Sequence, residues 1–198
     1  MNQAQPYHHG NLREALIEAA CDAVAQQGYE ALSLRALAEV LGVARSAPYR
    51  HFPEKNALLA EVAQRGFGQL TQRLNEIAAT SFSPRERLIA AGRAFLEFVQ
   101  RNPQLFRLMY EAQLIAPATP HPGPAESMAD IYQQMEQLYQ HFVAEASPAK
   151  RQLRMITLWS TLYGYAKIRQ AGILQSYMTA ALNESEIEAA VLEFMVSR

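Results

Sequence analysis

The sequence predicts an all-α protein, on three observations. Apolar residues return at i, i+4, i+7 and i+8 in run after run; the runs are bounded by N-cap residues, helix-start prolines and glycine stops; and two short runs are joined by a turn containing glycine. With 198 residues, 49% hydrophobic and 19% charged, the composition is that of an ordinary globular protein, long enough for a small module joined to a larger one.

The first predicted helix carries Leu12, Leu16, Ala19, Ala20, Ala23 and Val24 on one stripe, with Arg13, Glu14, Glu18, Asp22 and Gln26 largely opposite. Asn11 and Glu14 have capping-box spacing at its start, and Gly28 supplies a left-handed stop. Cys21, the single cysteine, falls inside this pattern and reads as a packed thiol, which leaves no disulfide framework and no cysteine metal site. A second, shorter helix has Ser33 as its N-cap, Leu34, Leu37, Ala38 and Leu41 as its apolar face, and Gly42 as its stop. The stretch "GVARSAPYRHFPEK", Gly42 to Lys55, then reads as a third short helix after a tight turn. Two short helices joined by a glycine-containing turn are the helix-turn-helix signature.

Within that signature the side chains divide by chemistry. Leu37, Ala38, Leu41 and Val43 are apolar or small where crossing helices touch, which leaves Arg45, Ser46, Ala47, Tyr49, Arg50 and His51 for the exposed faces of the third helix. A recognition helix keeps its first side chains free for base edges while neighbouring hydroxyl, imidazole and cationic groups hold phosphates. Arginine forks onto guanine O6 and N7, so Arg35 and Arg45 are the candidates for direct readout. The competing reading of such a cluster alone is a solvated polar face; the cap, the apolar stripe and the glycine turn before it favour DNA.

The stretch "LSLRALAEVLGVARSAPYRHFPEKNALL", with "YHHGNLREALIEAA" before it, resembles the tetracycline-repressor (TetR) family of bacterial transcriptional regulators. The resemblance covers roughly the first 60 residues. It implies that Tyr49, His51 and Lys55 hold phosphates, that Arg35, Arg45, Ser46 and Ala47 face bases, and that the chain is a helical dimer with a variable C-terminal ligand and dimerisation domain. With Ser33 and Arg50, these residues are the expected contacts to a near-palindromic double-stranded operator.

Two positions depart from the family pattern. Ala44 stands where a serine-type N-cap is usual, a change that costs a helix about 1 kcal/mol. Pro48 stands where leucine is common and removes an early intrahelical bond, so a recognition helix drawn from Ala44 would start tighter or later. Charge segregation matters more than the formal net charge of −1: residues 45–55 hold three cations, Arg45, Arg50 and Lys55, against Glu54 alone, enough for a local patch. His8 and His9 read as solvated N-terminal residues in preference to an arm along the minor groove.

A long helix is expected from about Glu54 to Ala79, linking a DNA-binding domain over 1–55 to a second domain over 56–198. Gly66 and Gly68 lie inside it, and close packing is preferred there over a bending point. Ser83, Pro84 and Glu86 mark another helix start, and Asn102-Pro103 the next. "APATPHPGPAE" is expected to be a loop because its prolines exclude regular helix. The predicted helices around it carry Phe98, Phe106, Met109, Tyr110, Met128, Tyr132 and Met135. With Trp159 and Tyr163, these suit an adaptable apolar cavity for a small-molecule effector. Core packing is the commoner use of such residues, so the ligand reading rests on the resemblance.

From Ser147 to Gly172 apolar residues surround the predicted helix instead of marking one stripe, so two of its faces require burial. Asn183 and Glu186 cap a last helix. The resemblance implies dimerisation through these two helices, with Ile156, Tyr163, Ile187, Val191 and Phe194 as interface candidates. "WSTLYGYA" also resembles a Trp-x-x-x-His-Gly element of one subgroup, with Tyr163 in place of the histidine.

Catalytic readings find no support in the motifs. There is no phosphate-cradling glycine loop, nucleophile elbow, His-x-x-x-His pair or Glu-x-x-His ligand helix, so neither an enzyme nor a cofactor or metal is expected. No signal-peptide pattern opens the chain and no apolar run approaches the roughly 18 residues of a membrane span, so no membrane partner and a cytoplasmic, nucleoid-associated location in a bacterium are expected. The reading is therefore a dimeric DNA-binding regulator, a repressor released by an apolar or aromatic small molecule. A helical ligand-binding protein without DNA-binding activity, and a regulator with no small ligand, stay open as alternatives.

Overall fold

The computed structural model describes residues 11–116, 119–142 and 147–197. Every regular element among them is helical, as the sequence predicts. In order these are α1 (Leu12–Gln27), α2 (Leu34–Val40), a 3-10 turn (Pro48–Arg50), α3 (Lys55–Ala78), α4 (Pro84–Arg101), α5 (Pro103–Glu111), α6 (Gly123–Phe142), α7 (Pro148–Gln170), α8 (Ser176–Thr179) and α9 (Glu184–Met195). No described helix is long and apolar enough to cross a membrane.

The chain forms two compact units. The first holds the described residues up to Gly66 together with Gln104–Glu126; the second holds Phe67–Pro103 and the described residues from Ser127 onward. α3 and α6 each contribute residues to both.

The first unit is built on the α1 stripe. Leu16, Ile17, Ala20 and Val24 are buried, and α1 packs on α2 and on the 3-10 turn. Leu34, Leu37, Ala38, Phe52, Leu58, Leu59, Val62 and Ala63, with Phe106, Leu108 and Met109 of α5, complete a core without a buried charged side chain among the described residues. Asn11 accepts from the Glu14 N–H at 3.3 Å, but only half of the expected capping box forms. The Glu14 carboxylate is taken by Arg65 of α3 instead. That guanidinium also lies beside Cys21, whose thiol burial pushes up in pKa.

The second unit packs α4, α7 and α9 against one another. Gly92 of α4 makes this possible, since a Cβ there would stand 2.7 Å from Leu192 Cδ2 and 3.0 Å from the Met195 thioether. Phe95 of α4 meets Trp159 of α7 edge-on at 5.2 Å between ring centres. Full capping boxes form at Ser83–Glu86 and Asn183–Glu186, as their spacing predicts.

Two local expectations are corrected. The third helix of the N-terminal module is a single 3-10 turn, for a reason given below. The proline-rich loop ends earlier than expected: α6 begins at Gly123, with Pro124 in its first turn, where a missing N–H breaks no intrahelical bond. Met195 of α9 is turned inward onto Gly92.

Candidate nucleic-acid interface

The site begins with how α2 stops. Its C-terminus closes as a Schellman pair: the Val43 N–H donates to the Ala38 carbonyl at 3.0 Å and the Gly42 N–H to that of Glu39 at 3.2 Å. Gly42 stands at φ 67°, the left-handed conformation that this closure needs and that costs glycine nothing.

The chain then makes two tight turns. Ala47 donates to the Ala44 carbonyl at 2.8 Å, Arg50 to Ala47 at 3.2 Å and His51 to Pro48 at 3.0 Å. A regular α-helix from Ala44 is prevented because Pro48 has no N–H to return to the Ala44 carbonyl, and Ala44 offers no side-chain cap. Pro48 is buried instead, and Phe52, only 2% exposed, fastens the far end of the turn into the core.

Anchored at Pro48 and Phe52, the segment turns its polar side chains outward. Arg45, Ser46, Tyr49, Arg50 and His51 are exposed and Ala47 is half-buried. Arg35 is exposed on α2, and Ser33 caps α2 by accepting from the Ala36 N–H at 3.5 Å. The structure thus brings residues 45–51 into one short, cationic, hydroxyl- and imidazole-bearing edge packed on α2. Such an edge offers forked donors for base acceptors and single donors for phosphates. His8 and His9 lie outside the described residues.

Two cations in this region are already engaged. Arg45 Nη2 lies 2.8 Å from Glu39 Oε1, and Lys55 Nζ donates to the Glu30 carbonyl oxygen at 2.7 Å. Glu39, Glu30, Tyr29 and Arg107 were not legible as parts of the site. Arg107 of α5 pairs with the Glu30 carboxylate from 77 residues away, and no local spacing announces such a contact. The Glu30 carboxyl is held below its ordinary pKa by its own backbone N–H and then by Arg107. Burial, and next the charge of Glu30, push the Tyr29 hydroxyl up.

The residues expected at a ligand cavity fall into both units. Phe106, Met109 and Tyr110 belong to the first, where Phe106 and Met109 are fully buried core; Phe98, Met128, Tyr132, Met135, Trp159 and Tyr163 belong to the second. The rings of Trp159 and Tyr163 lie 5.7 Å apart. The second unit has a cavity of about 280 Å³ lined by Leu96, Val99, Pro103, Ala166, Arg169 and Glu184 among others, and one of about 290 Å³ beside Phe82 and Arg93. None of the expected cavity residues lines either.

α7 does carry two faces. Met155, Leu158, Leu162, Tyr165 and Ala166 are buried, while Leu153 and Ile156 are 65% and 60% exposed. Of the other interface candidates, Phe194 is 62% exposed, and Tyr163, Ile187 and Val191 are half-buried.

Comparison with known proteins bears on the whole chain. Residues 16–62 match the family described as bacterial regulatory proteins, tetR family, and residues 88–193 match the tetracyclin repressor-like C-terminal domain. The chain is 32% identical over 99 residues to the transcriptional activator FasR of Mycolicibacterium smegmatis, an alignment covering 50% of this chain and 45% of that protein. It is 25% identical over 151 residues to the transcriptional repressor KstR of Mycobacterium tuberculosis, covering 76% of this chain and 67% of that one. A solved protein of unknown function from Rhodococcus sp. RHA1 superposes with a TM-score of 0.79 at 26% identity, covering 98% of this chain and 97% of its own. The helix-turn-helix clamped by Pro48 and Phe52 and the helical second unit both fall within these matches, and the chain belongs to the TetR family of bacterial regulators.

Proposed function

We propose that the protein is a sequence-specific, double-stranded-DNA-binding transcriptional regulator that works as a homodimer in the bacterial cytoplasm. The observation that carries this reading is the exposed edge formed by Arg45, Ser46, Tyr49, Arg50 and His51, anchored in the core by buried Pro48 and Phe52. It is an arrangement with groups for bases and for phosphates and no evident use in the core. Family membership supports the same reading, and relatives named as an activator and as a repressor both occur.

In this reading Arg35, Arg45, Ser46 and Ala47 meet bases, while Tyr49, Arg50, His51 and Lys55 hold phosphates. Ser33 fixes the start of α2. The exposed flank of α7 and Phe194 of α9 supply the face that a second copy covers, since a row of large apolar side chains at more than half exposure is costly to leave in water. Two copies would set two edges in successive major grooves of a near-palindromic operator, about 34 Å or a multiple apart. The finer reading is a repressor released by an apolar effector, which must bind the two states with different affinity, typically by about 1–3 kcal/mol, to act at all.

Selection of bound duplexes from a random-sequence pool tests this. Enrichment of a site with two inverted half-sites supports the proposal; a pool that stays random after repeated rounds refutes sequence-specific binding.

A further inference from the structure

We propose that Arg107 of α5 is a positioning residue for DNA binding, acting through the Tyr29–Glu30 turn on the ammonium of Lys55; this rests on the reading of Lys55 as a phosphate contact. Arg107 holds both residues of that turn. Its guanidinium lies over the Tyr29 ring, 5.7 Å from the centre, and its Nη2 pairs with the Glu30 carboxylate. Nη1 donates to Gln104 Oε1 at 3.1 Å and Nε lies 3.6 Å from Glu111, so the fork is anchored on its own helix as well. Gly28, at φ 82° just before the turn, lets the chain pass close to α5: a Cβ there would stand 3.1 Å from Gln104 Oε1. All of these residues belong to the first unit.

The other end of the turn bears on the interface. Lys55 Nζ donates to the Glu30 carbonyl at 2.7 Å, at the first residue of α3 and four residues beyond His51. A lysine has three ammonium donors on a stem of four rotatable bonds. One donor spent on a fixed carbonyl places the group and leaves two for a phosphate. The carbonyl stays fixed only while its residue does; the Leu32 N–H closes the turn onto the Tyr29 carbonyl at 3.3 Å, and Arg107 ties both side chains of the turn to α5. Arg107 also neutralises the Glu30 carboxylate, which would otherwise repel a phosphate approaching Lys55. An exposed ion pair adds little stability by itself. Its geometry here serves orientation.

A double-mutant cycle on the full-length protein tests this, using a duplex carrying the selected site and, if none is enriched, a random-sequence duplex. Arg107→Gln is expected to weaken binding about threefold to tenfold, the scale of coupling within one interaction network, and to weaken it no further once Lys55→Ala is present. Arg107→Lys, which keeps the charge but not the fork, is expected to recover part of the loss. Should Arg107→Gln lower the melting temperature, the same cycle is run with Arg107→Lys. An equal loss with and without Lys55, or no loss, would overturn the proposal. If Lys55→Ala also leaves binding unchanged, the assignment of Lys55 has failed and the inference with it. If the wild type binds no duplex at any salt concentration, the DNA-binding reading itself has failed.

Discussion

Gly66 of α3 faces the thioether of Met109: a Cβ built on Gly66 would stand 2.5 Å from the Met109 sulfur and 3.2 Å from Leu105 Cδ1. Two residues on, a Cβ on Gly68 would meet nothing within 4 Å. The two interior glycines of α3 therefore differ in kind. Met109 is fully buried and cannot swing aside into solvent, so Gly66→Ala overpacks the core at a cost of about 1–3 kcal/mol, against about 1 kcal/mol gained in helix propensity. Gly68→Ala has only the gain and is expected to stabilise by about 1 kcal/mol. Urea unfolding of the two variants measures both signs; a stabilised Gly66→Ala would show that α3 and α5 are not packed as described.

Arg45 and Glu39 form an exposed pair, through Nη2, that competes with a forked base contact by Arg45. Glu39→Gln is expected to tighten binding to nonspecific DNA severalfold with little change in melting temperature, because exposed pairs contribute little to stability. Arg45→Ala is expected to relax preference at one or two base positions, whereas Tyr49→Ala weakens all sequences alike. Competition binding against a panel of single-base operator variants separates the two; a uniform loss from Arg45→Ala would reassign it to phosphate.

Ile156 and Phe194 stand large and exposed on α7 and α9. Ile156→Glu leaves the buried flank of α7 untouched, so the helical content should be retained while the protein shifts to monomer. Sedimentation velocity reads this directly. A variant that sediments as the wild type does would remove this face from the interface.

At the α4 capping box the Ser83 N–H donates to Glu86 Oε2 at 2.8 Å and the Glu86 N–H to the Ser83 hydroxyl oxygen at 3.3 Å, and the Ser83 side chain and N–H beside the carboxyl hold its pKa below the ordinary 4.5. A carboxyl depressed in the folded state contributes stability that is present above its unfolded pKa and is lost as pH falls through the folded value. Glu86→Gln is therefore expected to lower the melting temperature near neutral pH, and to lower it less as the pH drops below about 4. A deficit that stays constant through that window would mean the carboxylate is not held as described.

Much of this was legible in the sequence because it is written locally. Asn11, Ser33, Ser83 and Asn183 all cap the helices their spacing announced, since an N-cap side chain and the backbone N–H it accepts from lie within four residues. Pro48 and the capless Ala44 announced a disturbed helix start, and they reduce the recognition element to one 3-10 turn; the anchoring of Phe52 in the core is revealed by no local pattern. The spacing of Glu14 makes it a cap partner, but Arg65 takes its carboxylate from 51 residues away. The Arg107–Glu30 pair was illegible for the same reason. Periodicity identified Phe106 and Met109 as apolar helix positions. It had no means of separating a core side chain from a cavity wall, because both ask for the same residue types.

The central claim is tested most directly by the affinity of the purified protein for fragments of its own upstream DNA, measured between about 50 and 200 mM salt with nonspecific competitor present. Retention of one fragment in preference to the rest, with an affinity that falls steeply as salt rises, is the predicted result. Equal affinity for every fragment, or no binding at the lowest salt, would contradict it.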